Sequence, residues 1–200
     1  MKIDMTDLLN SITENLKRID YIKPEEIPNI DLYMDQVTTF MDEHLAGTKR
    51  RDEDKILTKT MINNYSKNNL LPPSVKKKYS KEHVLLLIFI YYFKSILSIK
   101  DIETVLAPLR DKYFSDEAAL SLFELYTEVC KLEKSRIKPL SESVQEAYES
   151  SFSAFSNIED DADQKELRLF AFICSLSFDV YLKKVMIEKI IDELSAQKED

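Results

Sequence analysis

The stretch LTKTMINNYSKNNLLPPSVKKKYSKEHVLLLIFIYYFKSILSIKDIETVL, Leu57 to Leu106, decides how this chain is read. At its centre Val84 to Phe93 is unbroken apolar sequence. Ser80 is placed to cap a helix from Lys81 to about Ile96, and a helix apolar on every side belongs in the core of its domain. The run is about half of what a bilayer span requires, so it predicts a buried helix and no membrane anchor. Upstream, Thr58 predicts an N-cap for a short helix to about Asn68, with Ile62 and Tyr65 facing inward and Asn69 taking the left-handed position that ends it. Leu70, Leu71, Pro72 and Pro73 must then be extended or turning. Downstream, Ser98 and Asp101 form a capping box for a helix from Ile99 to about Leu109.

Outward from this stretch the periodicity stays helical. Leu8, Leu9, Ile12, Leu16 and Ile19 predict an amphipathic helix over Thr6–Ile19, and Pro24 and Pro28 interrupt the chain after it. Val37, Phe40, Met41 and Leu45 predict a helix over Leu32–Leu45 that stops before Gly47, followed by a charged loop from Lys49 to Lys55. The C-terminal part predicts helices over Ser115–Lys134, Ser141–Phe155 and Asp163–Ala196. The last is apolar enough between Leu167 and Ile191 to be central to a bundle or a subunit interface.

Composition narrows the function classes. The chain holds one glycine in 200 residues, against roughly 7% in an average protein. Phosphate loops, dinucleotide-binding turns and nucleophile elbows depend on glycine, so nucleotide-binding and hydrolase architectures are disfavoured and an all-α fold is expected. Cys130 and Cys174, inside apolar helical patterns, predict reduced core thiols. The N-terminus mixes acids with alternating apolar residues, unlike a signal peptide, so a soluble cytoplasmic protein is expected.

The net charge of −8 is unevenly distributed. Met1–Ala46 carries 4 basic and 10 acidic residues, Gly47–Arg110 13 and 6, and Asp111–Asp200 11 and 20. A basic island between acidic flanks creates a local field that attracts a polyanion. The sign change near Arg110 suggests three parts: an N-terminal helix over 1–26, a basic domain over 27–110 and a helical domain over 111–200.

The basic part resembles the DNA-binding domain of MerR-type regulators. In that family a recognition helix ends in a Leu-Arg-Tyr-Tyr block and is followed by a leucine-proline turn and a small wing. A tyrosine then precedes a helix, and a further helix opens with a serine-leucine-x-glutamate-isoleucine phrase. Here Ile62-Asn63-Asn64-Tyr65 stands at the block and Leu70-Leu71-Pro72-Pro73 at the turn. Tyr79-Ser80-Lys81-Glu82 stands before the helix and Ser98-Ile99-Lys100-Asp101-Ile102 at the last phrase. Two departures stand out. Asn63 and Asn64 replace the arginine and first tyrosine that grip phosphate, and the wing is cut to Ser74–Lys78, too short and too poor in glycine for a proper hairpin. The chain is also similar to a bacterial family described as a domain of unknown function.

The resemblance implies a MerR-like helix-turn-helix followed by a C-terminal helical bundle, acting as a transcriptional regulator on double-stranded DNA. Thr58, Lys59, Thr60, Asn63, Asn64 and Lys67 would face a major groove, while Lys76, Lys77, Lys78 and Lys81 would meet the flanking backbone. The C-terminal helices would form a homodimer, since symmetric operators suit symmetric proteins. The alternative is a non-enzymatic adaptor that uses the same fold to bind a protein partner. An enzyme is not expected. His44 and His83 have no metal-ligand spacing, the acidic clusters sit in loops or at helix starts, and Tyr91, Tyr92 and Phe93 belong to an apolar core, so no metal or cofactor is implied.

Overall fold

Seven consecutive side chains, Val84 to Ile90, are buried, and the other elements of their unit are arranged to cover them. The computed structural model describes residues 7, 10, 11, 14, 22–114 and 120–197. Among these lie helices α1 (Met34–Leu45), α2 (Lys59–Lys67), α3 (Lys81–Phe93), α4 (Ile99–Tyr113), α5 (Leu122–Ser153) and α6 (Asp161–Ala196), with two short strands, β1 (Leu32–Tyr33) and β2 (Lys78–Tyr79). The fold is all-α apart from this antiparallel ladder, in which Leu32 pairs with Tyr79 and Tyr33 with Lys78. The expected N-terminal helix falls mostly outside the described residues; Asp7, Asn10, Ser11 and Glu14 are helical.

The chain divides into two compact units, one of residues 19–132 and 188–200, the other of 1–18 and 133–187. In the first, α3 is surrounded by Val37, Phe40, Met41 and Leu45 of α1, Ile62 and Tyr65 of α2, and Ile102 and Leu106 of α4. Leu122, Tyr126 and Cys130 of α5 complete that core. Arg110, where the charge changes sign, therefore lies inside this unit, because hydrophobic contact and not surface charge sets the extent of a core. Full burial of an apolar side chain contributes roughly 1.5–3 kcal/mol, and α3 supplies seven of them in succession.

Local chemistry sets the helix ends. Thr58 Oγ1 accepts from Met61 N–H at 3.2 Å to start α2. At its other end Leu70 N–H donates to Tyr65 O at 2.9 Å and Asn69 N–H to Ser66 O at 3.3 Å, with Asn69 at φ 55°; this is a Schellman ending with asparagine in glycine's place. Ser98 and Asp101 exchange the expected reciprocal bonds at the start of α4, 3.2 and 3.1 Å. Several expected boundaries move: α3 ends at Phe93 rather than near Ile96, α4 runs through Pro108 to Tyr113, and the two helices expected on either side of Pro139 are one, α5, described from Leu122. Each proline costs its helix a backbone hydrogen bond without ending it.

In the second unit α5 and α6 pack through Val144, Tyr148, Phe172 and Leu176. Gln164 Nε2 donates to the carbonyls of Phe155 and Ile158, 3.0 and 3.1 Å, and Arg168 Nε to that of Ala154, 3.1 Å, fastening the connection between the helices. The opposite side of α6 carries exposed apolar residues, Phe170, Ile173, Phe178 and Tyr181. Cys130 is buried as expected; Cys174 is exposed on that same apolar face rather than in the core. Among the described residues no helix is long and apolar enough to cross a membrane.

Leu87→Ala in the middle of α3 is expected to cost about 2–5 kcal/mol in urea denaturation. Leu132→Ala, at a 66% exposed position, should stay within about 0.5 kcal/mol.

Candidate nucleic-acid interface

Helix α2 buries Ile62 and Tyr65 and leaves Lys59, Thr60, Asn63, Asn64 and Lys67 exposed. The apolar pair three residues apart fixes the inner face, so the polar residues must point out. α2 and β2 both pack against α1, so one helix carries the polar face and the basic segment that follows it. The connection from α1 to α2 occupies residues 46–58, far longer than the ~3–4 residues of a tight helix-turn-helix. Ile56 and Leu57 at its end are buried and anchor it.

The wing, expected to be too short for a hairpin, forms one. Val75 and Lys78 exchange both backbone bonds, 3.0 and 2.9 Å, and the two residues between them, Lys76 and Lys77, have φ of 51° and 64°. Positive φ at both central positions is the signature of a type I′ turn, whose twist matches a hairpin and whose usual sequence is Asn-Gly. A residue with a Cβ in this region pays roughly 1–2 kcal/mol. The tip of the hairpin is therefore two exposed lysines in a backbone state that lysine disfavours.

The remaining predicted residues are held in different ways. Thr58 spends its side-chain oxygen on the cap of α2. Lys59 forms an ion pair with Asp35 of α1. Lys78 reaches over the ring of Tyr33, 5.4 Å from its centroid. Lys81 lies over the ring of Phe123, 3.4 Å from its centroid, so its charge is directed at α5. The group with side chains turned to solvent is then Thr60, Asn63, Asn64, Lys67, Lys76 and Lys77.

Periodicity could not reveal three positioning contacts. Arg110 Nη1 donates to the carbonyl of Asn69, tying α4 to the left-handed residue that ends α2. Tyr33 and Asp35 hold Lys78 and Lys59; the sequence signal for them is no more than their acidic or aromatic type beside β1.

His83, expected at the surface or half-buried, is buried at 2% exposure. Its Nδ1 accepts from the backbone N–H of Ser80 at 3.0 Å, which places the proton of the neutral ring on Nε2. The carbonyls of Pro72 and Pro73, at the base of the hairpin, lie near the ring, and Nε2 has no hydrogen-bond partner among the described residues. Burial holds its pKa below the ordinary 6.5 against the opposing pull of these carbonyls, Glu82 and Asp31. Tyr79 and Phe114 meet the ring edge-on, 5.5 and 4.8 Å between centroids. Tyr91, Tyr92 and Phe93, expected in the core, are half-buried and pack on its margin. Among the described residues no cluster of His, Cys, Asp and Glu has the geometry to hold a metal ion.

A family model described as a domain of unknown function (DUF1836) matches residues 22–129, more than half of the chain. The chain belongs to the DUF1836 family. Its matched region coincides with the core built from Ile22 to Cys130, so hairpin, α2 and α3 all lie within the family domain. No curated protein and no solved structure matches the chain.

Two outcomes test this geometry. Replacing Lys76 by Asn and Lys77 by Gly together should raise unfolding stability by about 1–2 kcal/mol, because both residues suit the left-handed region; an unchanged urea midpoint would mean that the turn is not strained. For His83, the unfolded chain binds a proton near pH 6.5 and the folded chain only at lower pH. Stability should therefore be full above 6.5 and decline as pH falls from there toward the folded-state pKa. The His83 ring should titrate below 6.5 by NMR; titration at or above that value would contradict its burial.

Proposed function

We propose that the DUF1836 domain of this chain is a reduced MerR-like DNA-binding module that docks α2 against the major groove and sets the Lys76–Lys77 tip on a neighbouring phosphate backbone. The observation that carries the reading is the strained hairpin tip. A turn position that favours asparagine and glycine is filled by two lysines, neither of which makes a side-chain hydrogen bond or ion pair among the described residues. A function for the two charges accounts for the pairing of a conformational cost with cationic side chains. Asn63 and Asn64, exposed on α2, have the donor and acceptor pair that reads adenine. The long connection before α2 departs from the tight motif, and the fixed relation of α2 to the hairpin through α1 supports the reading in its place.

Self-association through α6 belongs to the same proposal. Phe170, Ile173, Phe178 and Tyr181 form an exposed apolar face, and burial of such a face between two copies would join two reading heads in one assembly. The same face also favours the second reading, an adaptor that engages another protein.

Mobility shift on random duplex DNA at two salt concentrations is the deciding measurement. The parent should bind and weaken steeply with salt. Lys76→Gln with Lys77→Gln should lower affinity on all sequences and flatten the salt slope by up to about two units. Asn63→Ala should cost roughly 1–3 kcal/mol on a selected site and less on others. If the parent binds no DNA while light scattering shows a dimer, the adaptor reading replaces this one.

A further inference from the structure

A second feature of the family domain lies beyond α2 and the hairpin. A cavity of about 460 Å³ is lined by Thr48, Asp54 and Ile56 from the connection before α2, and by Tyr91, Tyr92 and Lys94 at the end of α3. Its size is within the range of small-molecule sites, about 300–1,000 Å³. Lys94 is half-buried, its Nζ donates to the carbonyl of Ile56 at 2.8 Å, and it lies over the Tyr91 ring, 4.6 Å from the centroid. Among the described residues no carboxylate forms an ion pair with it. Burial accordingly lowers its pKa from 10.5.

The carboxylate on the cavity wall, Asp54, is already committed. Asp54 Oδ2 accepts from the backbone N–H groups of Arg50 and Arg51, 3.2 and 3.0 Å, and so closes its own loop. Lys49, also on the cavity wall, is paired with Asp42 at 2.7 Å, and the exposed Lys55 adds a third ammonium. A partly desolvated cation whose hydrogen-bond partner is a neutral carbonyl gains most from an anion, since a charge-assisted bond is roughly twice as strong as a neutral one. Tyr91 is held by a hydroxyl contact with Thr48 and meets Tyr92 edge-on, 5.5 Å between centroids, so the two rings give the cavity an angled aromatic corner beside Lys94.

We infer that this cavity is a binding site for a small organic anion, an acid group on an apolar body, with Lys94 as the residue that pairs with the acid and the Tyr91–Tyr92 corner against the body. The site stands apart from the DNA reading, because none of its lining residues belongs to the exposed face of α2 or to the hairpin. It touches Ile56, two residues before the cap of α2, so occupancy should also slow amide exchange at Ile56 and Leu57.

Calorimetry and amide chemical-shift mapping test the site on the full chain, with 4-hydroxybenzoate, indole-3-acetate and phenyl phosphate as probes and 4-hydroxybenzamide as the neutral control. At least one acid should bind with Kd below about 1 mM, with shifts confined to Thr48, Asp54–Leu57 and Tyr91–Ser95. The amide should bind at least tenfold more weakly, as should the chosen acid to Lys94→Met. If Lys94→Met does not fold, the acid-against-amide comparison and the shift map on the parent decide alone. Equal binding of acid and amide, shifts centred on α2 or the hairpin, or no binding by any acid would overturn the inference.

Discussion

A helix whose side chains from His83 to Ile90 are all buried cannot lie on a surface, and the architecture of residues 22–130 follows from that constraint. Covering α3 on all sides takes α1, α2, α4 and the first part of α5, since one neighbour hides only one stripe of a helix. The positions of α2 and the hairpin are by-products of this enclosure. Ile62 and Tyr65 are drawn in as part of the cover, which sends Asn63, Asn64 and Lys67 outward. Tyr79 is drawn in as well, and its pairing with Leu32 leaves the two lysines before Lys78 at the tip of a turn.

Charge then divides into what is used inside the domain and what is left outside. Lys59, Lys78, Lys81 and Arg110 each have an intramolecular partner. Such exposed or half-exposed contacts are individually worth little, roughly 0–1 kcal/mol, and their effect is to fix orientation. The basic island is thus less uniform than its composition suggests. Part of it braces the termini of α2 and α3, and part of it, at the hairpin tip and on Lys67, is turned to solvent.

The helical elements could be read from sequence because their signals are local: Thr58 and Ser98 as caps, Asn69 as a left-handed ending, and the apolar run of α3. The single helix through Pro139 could not, since proline locally reads as a break, whereas α5 runs continuously through it. The hairpin was hidden for a related reason. Turn chemistry points to glycine or asparagine at positive φ, and here Lys76 and Lys77 occupy those positions. The extent of the family domain was hidden too, because Leu122, Tyr126 and Cys130 join the core across a long sequence separation, where charge patterning carries no information. Of the candidate interface, the exposed face of α2 was legible from period alone; the diversion of Lys59 and Lys81 depends on Asp35 and Phe123, which only the tertiary structure brings near.

The solitary glycine carries a consequence of its own. Gly47 does not have a positive φ, and a Cβ built on it would meet nothing within 4 Å, so its freedom is not needed by the fold. Every described left-handed position is filled instead by Asn69, Lys76, Lys77 or Phe155. Each glycine that a compatible residue replaces narrows the unfolded ensemble by about 0.4–1 kcal/mol of conformational entropy. A chain so short of glycine begins folding from fewer accessible conformations, and the local cost at four strained residues is set against an entropic saving distributed over the whole polypeptide.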